Sequence, residues 1–309
     1  MTVSLLTIIF SKVDWGNFVS ALKDVKIGVL SLVLAFAFLN IVISAIKWGV
    51  LLQPFSSSIS YWYTSKLYFI TFFFNNFLPG SIGGDGYRVY KIYKLLGSKS
   101  VAFVPVFIER VSGLAVLVLV GGTAAAIDFI ANQNKTSLTG VFIGAGLILA
   151  ITLFFILVQY KDRVVAFSFI AKIKFVANAI DKFLNSILVY RAYPSIIVKA
   201  IIVSFIFYFL LIYARVLLFE SLDVNISLTG LIVVIMLSST LAMLPISING
   251  YGVLDLSFVH LITLYGINYD SAVLVMMLHR CILITVSLFG GLLYAFSPDR
   301  EPINNISTQ

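Results

Sequence analysis

A broken apolar segment organises this sequence, and it reads Asn75-Asn76-Phe77-Leu78-Pro79-Gly80-Ser81-Ile82-Gly83-Gly84-Asp85-Gly86-Tyr87-Arg88. Its four glycines and its proline follow directly on a strongly apolar run. A regular helix cannot continue here, because proline removes a backbone donor and glycine readily adopts positive φ. Within lipid, such open backbone is tolerated only where it is buried in protein or lines a wet cavity. The segment therefore predicts the position of the functional site.

The composition places the chain in the membrane class. Of its 309 residues, 61% are hydrophobic and 11% are charged, and the mean hydropathy is +1.06. Such a chain is too apolar for a soluble globular protein. We expect a single integral membrane domain over residues 1–309. The net charge of +8 lies mainly between apolar stretches, where it sets orientation and contacts anionic lipid at the cytoplasmic face, so it does not indicate nucleic-acid binding.

Five apolar stretches are long enough to cross a bilayer, which takes about 20 helical residues. They are residues 27–52, 101–127, 138–160, 195–219 and 272–296. Shorter apolar stretches at 66–78 and 228–244 each lead into a broken segment, so we predict a re-entrant hairpin at both places. Lys47 and Trp48 are interpreted as interface anchors at the end of the first span. Residues 1–11 fit neither a span nor a signal peptide.

Two stretches are predicted to lie along the membrane surface. Around Trp15, apolar residues recur at helical spacing, which is typical of a short interfacial helix. A basic, amphipathic segment follows the third span, with polar residues such as Asp181 on one face and apolar residues such as Leu184 on another. Residues 138–194 therefore combine one span with a cytoplasmic amphipathic segment.

The broken segment occurs twice. The frame Leu-Pro-x-Ser-Ile-x-Gly-x-Gly of residues 78–86 recurs 166 residues later, at 244–252. Glu109-Arg110 has a counterpart in His279-Arg280, 170 residues later, and we assign the four-residue difference to a longer linker at residues 265–270. The same frame twice, each followed by an arginine within an apolar span, is a fairly specific signal. The sequence predicts two repeats, at residues 27–127 and 195–296.

Lysines and arginines predict the orientation of the chain, because they accumulate in cytoplasmic loops. Residues 66–99 and 161–199 hold nearly all the loop cations, whereas the remaining loops between spans hold only Lys135. The first broken segment is then predicted to enter from the cytoplasm and the second from outside. We therefore predict an all-α polytopic membrane protein with inverted-topology repeats, each containing a re-entrant broken hairpin. This architecture is typical of alternating-access transporters.

Two arginines within spans, Arg110 and Arg280, are the strongest candidate site residues. A charge at membrane depth costs at least about 2.5–3.5 kcal/mol, so each arginine should be paired, face water or bind an anion. Each could simply tie its own broken loop to a span through carboxylates and carbonyls. Alternatively, both guanidinium groups and the exposed amides of the Gly-rich turns hold a phosphate as it crosses. The predicted binding residues are Arg88, Arg110, Arg280, Lys91, Gly83, Gly84, Asn249 and Gly250.

Other ionisable residues surround these positions. The predicted counter-ions or coupling groups are Asp85, Glu109, Asp255 and His279. After the first broken segment, Arg88, Lys91 and Lys94 form a cationic stripe beside a stripe of tyrosines. The stripe fits either an interfacial helix with snorkelling lysines or a headgroup-binding surface. No cofactor or metal is predicted, because the chain has two histidines and one cysteine, Cys281, interpreted as a small core residue.

These residues resemble those of a known family. Residues 77–85, Arg88, Glu109-Arg110 and residues 249–252 are similar to the transmembrane, flippase-like region of lysylphosphatidylglycerol synthases and their stand-alone relatives, over roughly residues 45–296. The resemblance implies a helical lipid-translocating fold with two re-entrant elements, in a bacterial or archaeal cytoplasmic membrane. The sequence contains no counterpart of the soluble aminoacyl-transfer domain, so we expect no synthase activity.

Three functions fit the sequence. The favoured one is a flippase that moves an amphiphile with an anionic, phosphate-bearing headgroup, either a phospholipid or a polyprenyl-phosphate-linked sugar. A lipid-modifying enzyme within the membrane is disfavoured, because no carboxylate pair, Ser/His pair or His cluster lies at working spacing. The third function is a solute transporter or an accessory subunit in envelope polysaccharide assembly. The expected partner is a membrane lipid substrate, and a homo-oligomer is left open.

Overall fold

The computed structural model describes residues 2–77, 82–160, 174–243 and 250–297, and all regular structure within these ranges is helical. The helices are α1 Thr2–Phe10, α2 Trp15–Asp24, α3 Ile27–Leu52, α4 Tyr61–Phe77, α5 Ile82–Leu96, α6 Lys99–Asn132, α7 Lys135–Gln159, α8 Lys174–Leu188, α9 Pro194–Glu220, α10 Leu228–Ala242, α11 Val253–Thr263 and α12 Tyr269–Ala295, with a 3₁₀ turn at Val189–Ala192. The predicted all-α fold class is confirmed for these ranges.

Five of the helices can cross a membrane. Helices α3, α6, α7, α9 and α12 have 26, 34, 25, 27 and 27 residues, and their most apolar windows have mean hydropathies between 2.1 and 2.9. At 1.5 Å per residue each is longer than the apolar thickness of a bilayer, about 30 Å. They coincide with the five predicted spans, so the chain is a multi-pass membrane protein.

Side-chain caps fix where several of these helices begin. The Ser98 hydroxyl accepts a hydrogen bond from the Val101 amide at the start of α6. Asn134 does the same for the Thr136 amide at the start of α7, 2.9 Å away. Because Gln133 adopts a left-handed φ of 51° directly before it, the chain reverses between α6 and α7 within two residues.

Four of the shorter helices form two pairs. Helices α4 and α5 have 17 and 15 residues, and α10 and α11 have 15 and 11, so none is long enough to cross a bilayer alone. Helix α4 begins at Tyr61, earlier than predicted. Residues 78–81, between α4 and α5, and residues 244–249, between α10 and α11, lie outside the described residues. Each pair leads into a long span, so α4-α5-α6 and α10-α11-α12 are two triplets with the same helix order.

The two triplets share the spacing of their ion pairs. Asp85 pairs with Arg110, and Asp255 pairs with Arg280, each across 25 residues of sequence. The four extra residues of the second repeat therefore lie before Asp255, at the start of α11. The prediction that a longer linker at residues 265–270 accounts for them was wrong. The linker after α11 is longer than its counterpart, but α11 is shorter than α5.

Helices α3 and α9 run antiparallel through the bundle. Near the start of α3, the Phe36 and Tyr213 rings lie 5.8 Å apart. Near its end, the Tyr190 hydroxyl donates to the Leu51 carbonyl across 2.5 Å. This pair of helices packs against both triplets, and each of the two supplies one cation to a charged cluster described below.

Each triplet buries its first short helix against the long helix of the other triplet. Helix α4 lies so close to α12 that a Cβ added at Gly290 would be 2.0 Å from the Phe69 carbonyl oxygen. Helix α10 packs on α6 at Gly121, where a Cβ would be 2.5 Å from the Met236 side chain. Small residues at such crossings are typical of helix packing in membranes, where close backbone approach supplies the attraction.

The N-terminal residues also belong to the bundle. The unassigned residues 1–11 contain α1, in which Ile9 is fully buried. The Tyr269 hydroxyl at the start of α12 donates to the Ile9 carbonyl across 2.9 Å. The predicted interfacial helix around Trp15 forms α2, and the Asp14 amide before it donates to Asp270.

The predicted amphipathic segment contains α8, whose apolar side rests on the start of α6. Phe183 lies 5.2 Å from Phe107 and 5.9 Å from Phe103, measured between ring centroids. On its polar side, the Asn185 amide donates to Asp181 across 2.8 Å. Helix α8 therefore has an apolar side that packs on α6 and an exposed polar side, as its sequence pattern predicted.

At the opposite end of the bundle, a buried carboxylate joins three elements. Asp128 near the end of α6 accepts hydrogen bonds from Asn132, Ser137 and Thr229. The Tyr265 hydroxyl, in the linker after α11, lies 2.7 Å from the Ser137 hydroxyl. Burial raises the pKa of Tyr265, so the phenol stays protonated. A fully bonded carboxylate of this kind fixes the relative positions of α6, α7 and α10.

A matched pair of glycine variants tests the packing of the first hairpin. A Cβ at Gly84 would lie 2.1 Å from the Thr71 carbonyl oxygen, whereas one at Gly86 would meet nothing within 4 Å. We expect Gly84→Ala to lower the free energy of unfolding by about 1–3 kcal/mol, because α4 and α5 must separate. Gly86→Ala should be neutral or stabilising, since alanine favours helix. Thermal unfolding in detergent measures both, and equal melting temperatures would contradict the close packing.

Candidate functional site

The first charged cluster joins α5 to α6. Arg110 Nη2 lies 2.7 Å from Asp85 Oδ2, and Arg110 Nε donates to the same oxygen. The Arg110 side chain is 47% exposed although it lies within a membrane span. A guanidinium group paired on one side and open on the other can accept a second anionic partner.

Arg88 lies inside this cluster and not on an exposed stripe. Its side chain is 0% exposed, and its guanidinium group contacts Asp85 at 2.8 Å and Glu109 at 2.7 Å. The Trp48 and Tyr68 rings cover it at 5.0 and 4.8 Å. The predicted headgroup-binding stripe therefore does not include Arg88, because two carboxylates and two rings enclose it. We assign it the role of positioning Asp85 and Glu109.

The other members of the stripe lie further along α5. Lys91 is partly buried, with Nζ 5.7 Å from the Tyr87 ring, and Lys94 lies 5.1 Å from the Tyr90 ring. Each lysine thus covers the aromatic ring of the neighbouring stripe, a cation–π geometry. The structure does not bring Lys91 next to Arg110.

Lys47 is part of the cluster, which corrects its interpretation as an interface anchor. The residue is 6% exposed, and Nζ donates to the Glu109 carbonyl across 2.9 Å. The Tyr68 hydroxyl donates to Glu109 Oε1 across 2.6 Å. Three cations, Lys47, Arg88 and Arg110, thus face two carboxylates, so the cluster carries one surplus positive charge.

The predicted phosphate-binding amides are in part engaged within the protein. The Gly84 amide donates to Asn75 Oδ1 across 3.0 Å, so it is not free for a ligand as predicted. Gly83 lies in the first turn of α5. Gly250 is buried with φ of 75° and packs against Ala242. Asn249 lies outside the described residues.

The second charged cluster joins α11 to α12. Arg280 Nε donates to Asp255 Oδ1 across 2.7 Å, and Asp255 Oδ2 accepts from the Gly252 amide at the start of α11. The Arg280 guanidinium lies 4.3 Å from the Tyr251 ring centroid. The Tyr251 hydroxyl donates to Asn76 Oδ1 across 3.2 Å. The second hairpin therefore touches the end of α4 in the first.

Arg215 completes this cluster, although it was not among the predicted site residues. It lies in α9 and is 6% exposed. Its Nη2 is 3.1 Å from His279 Nδ1, and its Cζ is 4.4 Å from the Phe258 ring centroid. Lys47 approaches the residue before Arg110, and Arg215 approaches the residue before Arg280. An arginine within an apolar span is costly enough to have signalled this role.

A cavity of about 380 Å³ lies between the two triplets and borders the first cluster. Its charged or ionisable lining residues are Lys47, Asp85, Glu109, Arg110 and His279. Its neutral polar lining includes Asn40, Ser44, Thr71, Asn75, Ser204, Tyr208 and Ser239. Because His279 belongs to the second cluster, the cavity reaches from one cluster to the edge of the other.

Comparison with known sequences places the chain in a family. Its residues 1–291 match the family described as lysylphosphatidylglycerol synthase TM region. The chain belongs to this family. It is also similar to the UPF0104 membrane protein MJ1078 of Methanocaldococcus jannaschii, with 26% identity over 227 residues, covering 72% of this chain and 93% of that protein. The resemblance noted in the sequence is thus confirmed, and the match extends to the first residue.

In the part of the chain that the structure describes, no three His, Cys, Asp or Glu residues lie close enough together to hold a metal ion. Cys281 is exposed on α12, so its interpretation as a core residue was wrong. What the site offers chemically is a polar cavity with surplus positive charge, inside a bundle of apolar helices.

Proposed function

We propose that this protein translocates a lipid with an anionic, phosphate-bearing headgroup across its membrane. The observation that carries the proposal is that Arg110 faces the cavity with roughly half of its side chain exposed. Its cluster already uses both available carboxylates and keeps one surplus positive charge. An anion in the cavity would balance that charge, and guanidinium groups bind phosphate through two parallel hydrogen bonds.

The size of the cavity supports a headgroup as the occupant. Ligand sites typically measure about 300–1,000 Å³, and the volume here is about 380 Å³. That space suits a phosphate and the polar group attached to it, but not two acyl chains. The tails would stay in the bilayer while the headgroup crosses through the protein.

The two triplets supply a mechanism for alternating access. Residues of both line the cavity, Arg110 from the first and His279 from the second. If the first hairpin enters from the cytoplasm and the second from outside, displacement of one opens the cavity to one side only. Exchange between the two states would carry the headgroup from one leaflet to the other.

Reconstitution tests this function directly. We expect vesicles that contain the protein to move fluorescent phosphatidylglycerol between leaflets faster than protein-free vesicles, and not to accelerate a phosphate-free glycosyl diacylglycerol. The accessible fraction of each probe is measured with a membrane-impermeant quencher. Equal rates with and without protein would contradict the proposal. Chromatography of the recovered lipid is the second readout, and conversion into a new species would favour a lipid-modifying enzyme instead.

A further inference from the structure

The second cluster contains guanidinium donors without partners. Arg215 Nε, Arg215 Nη1 and Arg280 Nη2 are buried, and none forms a hydrogen bond within the ranges that the structure describes. Leaving a buried donor unpaired is unfavourable, and leaving a charged donor unpaired is more unfavourable still. Such groups require an explanation, and a ligand that accepts several hydrogen bonds at once provides one.

The charges of the cluster indicate an anion. Arg215 can only donate, so the His279 Nδ1 that it contacts must accept, and the imidazole is neutral. Arg215 and Arg280 therefore face a single carboxylate, Asp255, which leaves one surplus positive charge. The Phe258 and Tyr251 rings cover the faces of the two guanidinium groups, so a ligand must approach their edges, where the free donors lie.

We infer that Arg215 and Arg280 form a second anion-binding site, which takes a phosphate group. This inference rests on the proposed function, because it identifies the occupant with the phosphate of the translocated lipid. His279 lines the cavity and contacts Arg215, so it stands between the two sites. A headgroup that leaves Arg110 passes His279 and is received by Arg215 and Arg280.

The two sites can be separated by testing the second one in an Arg110→Gln background, where the first is disabled. The readout is the rise in melting temperature caused by short-chain phosphatidylglycerol, because a ligand that binds only the folded state stabilises it. We expect the lipid still to raise the melting temperature of the Arg110→Gln protein. Adding Arg215→Gln should increase the lipid concentration for half of that rise at least about tenfold, since charged hydrogen bonds are lost. Arg191→Gln, at an exposed arginine outside both clusters, is the matched control and should change nothing.

The ligand-free protein supplies an independent readout. Arg215 is a buried cation whose nearest carboxylate, Asp255, is already paired with Arg280, so replacing it by a neutral side chain should leave the ligand-free melting temperature unchanged or raise it. A structural arginine would behave in the opposite way. A second variant, Arg215→Lys in the same Arg110→Gln background, keeps the charge. Its lipid concentration for half of the rise in melting temperature should lie between that of Arg110→Gln alone and that of Arg110→Gln with Arg215→Gln.

Three results would overturn the second site. The first is that Arg110→Gln alone abolishes the lipid-induced rise in melting temperature. The second is that adding Arg215→Gln does not change the lipid concentration for half of that rise. The third is that Arg215→Gln lowers the melting temperature of the ligand-free protein. Titration with inorganic phosphate distinguishes the sources of the ligand: a rise with lipid alone identifies a lipid headgroup, and a rise with both identifies the phosphate group itself. If the wild type binds the lipid but does not translocate it, the proposed function fails and the site remains.

Discussion

Replacement of Arg110 by glutamine is expected to slow lipid translocation about 100-fold with little effect on the fold. The guanidinium group faces the cavity, and its loss removes charge-assisted hydrogen bonds to the phosphate, each worth about 1.5–3 kcal/mol. Every 1.4 kcal/mol corresponds to a factor of ten. The fold should survive, because Asp85 keeps its contact with Arg88 at 2.8 Å.

The measurement is the initial translocation rate of fluorescent phosphatidylglycerol in vesicles with equal amounts of protein. Arg110→Lys keeps the charge but loses the planar fork, so it should fall between the wild type and Arg110→Gln. Lys135→Gln changes an exposed cation at the start of α7, away from the cavity, and serves as the control. A rate for Arg110→Gln close to that of the wild type would remove Arg110 from the headgroup site.

Replacement of Glu109 by glutamine is expected to have the opposite profile, with a large loss of stability. Arg88 is fully buried and lies 2.7 Å from Glu109 Oε2. Removing one partner of a buried ion pair typically costs about 3–5 kcal/mol, and here it leaves Lys47, Arg88 and Arg110 facing one carboxylate, Asp85. The Tyr68 hydroxyl can still donate to the glutamine oxygen, so the loss is one of charge and not of shape.

The midpoint of unfolding in a denaturing detergent measures this loss. Glu220→Gln, at an exposed residue at the end of α9, is the matched control and should not move the midpoint. The double variant Arg88→Met, Glu109→Leu removes both charges and should recover part of the stability of the single variant. If the double variant is as unstable as the two single changes added together, the ion pair is not the cause.

The positions and order of the helices were predictable from the sequence, because they depend on the local pattern of apolar residues, Pro and Gly. Each long span is a continuous apolar run, and each short pair is marked by Pro and Gly between apolar residues. The pairing of Asp85 with Arg110 follows from the adjacency of α5 and α6 along the chain. The same reasoning gives Asp255 with Arg280 once the first pair is known.

The remaining part of the site depends on contacts between distant helices. Lys47 lies near the end of its span, where a snorkelling lysine is common, and its burial results from the packing of α3 against α6. Arg215 was visible in the sequence as an arginine within an apolar span, but its contact with His279 depends on the packing of α9 against α12. Arg88 belongs to a regular stripe in sequence, yet the Trp48 ring from α3 closes over it. The sequence pattern along one helix does not predict which neighbouring helix covers each of its residues.

The close contact at Gly290 has a consequence for how the chain assembles during synthesis. Helix α4 packs closely against α12, which follows more than two hundred residues later in the sequence. The ribosome therefore finishes the first hairpin long before α12 exists. Until α12 leaves the translocon, the side of α4 that packs on Gly290 lacks its partner. Completion of the first half therefore depends on the synthesis of α12.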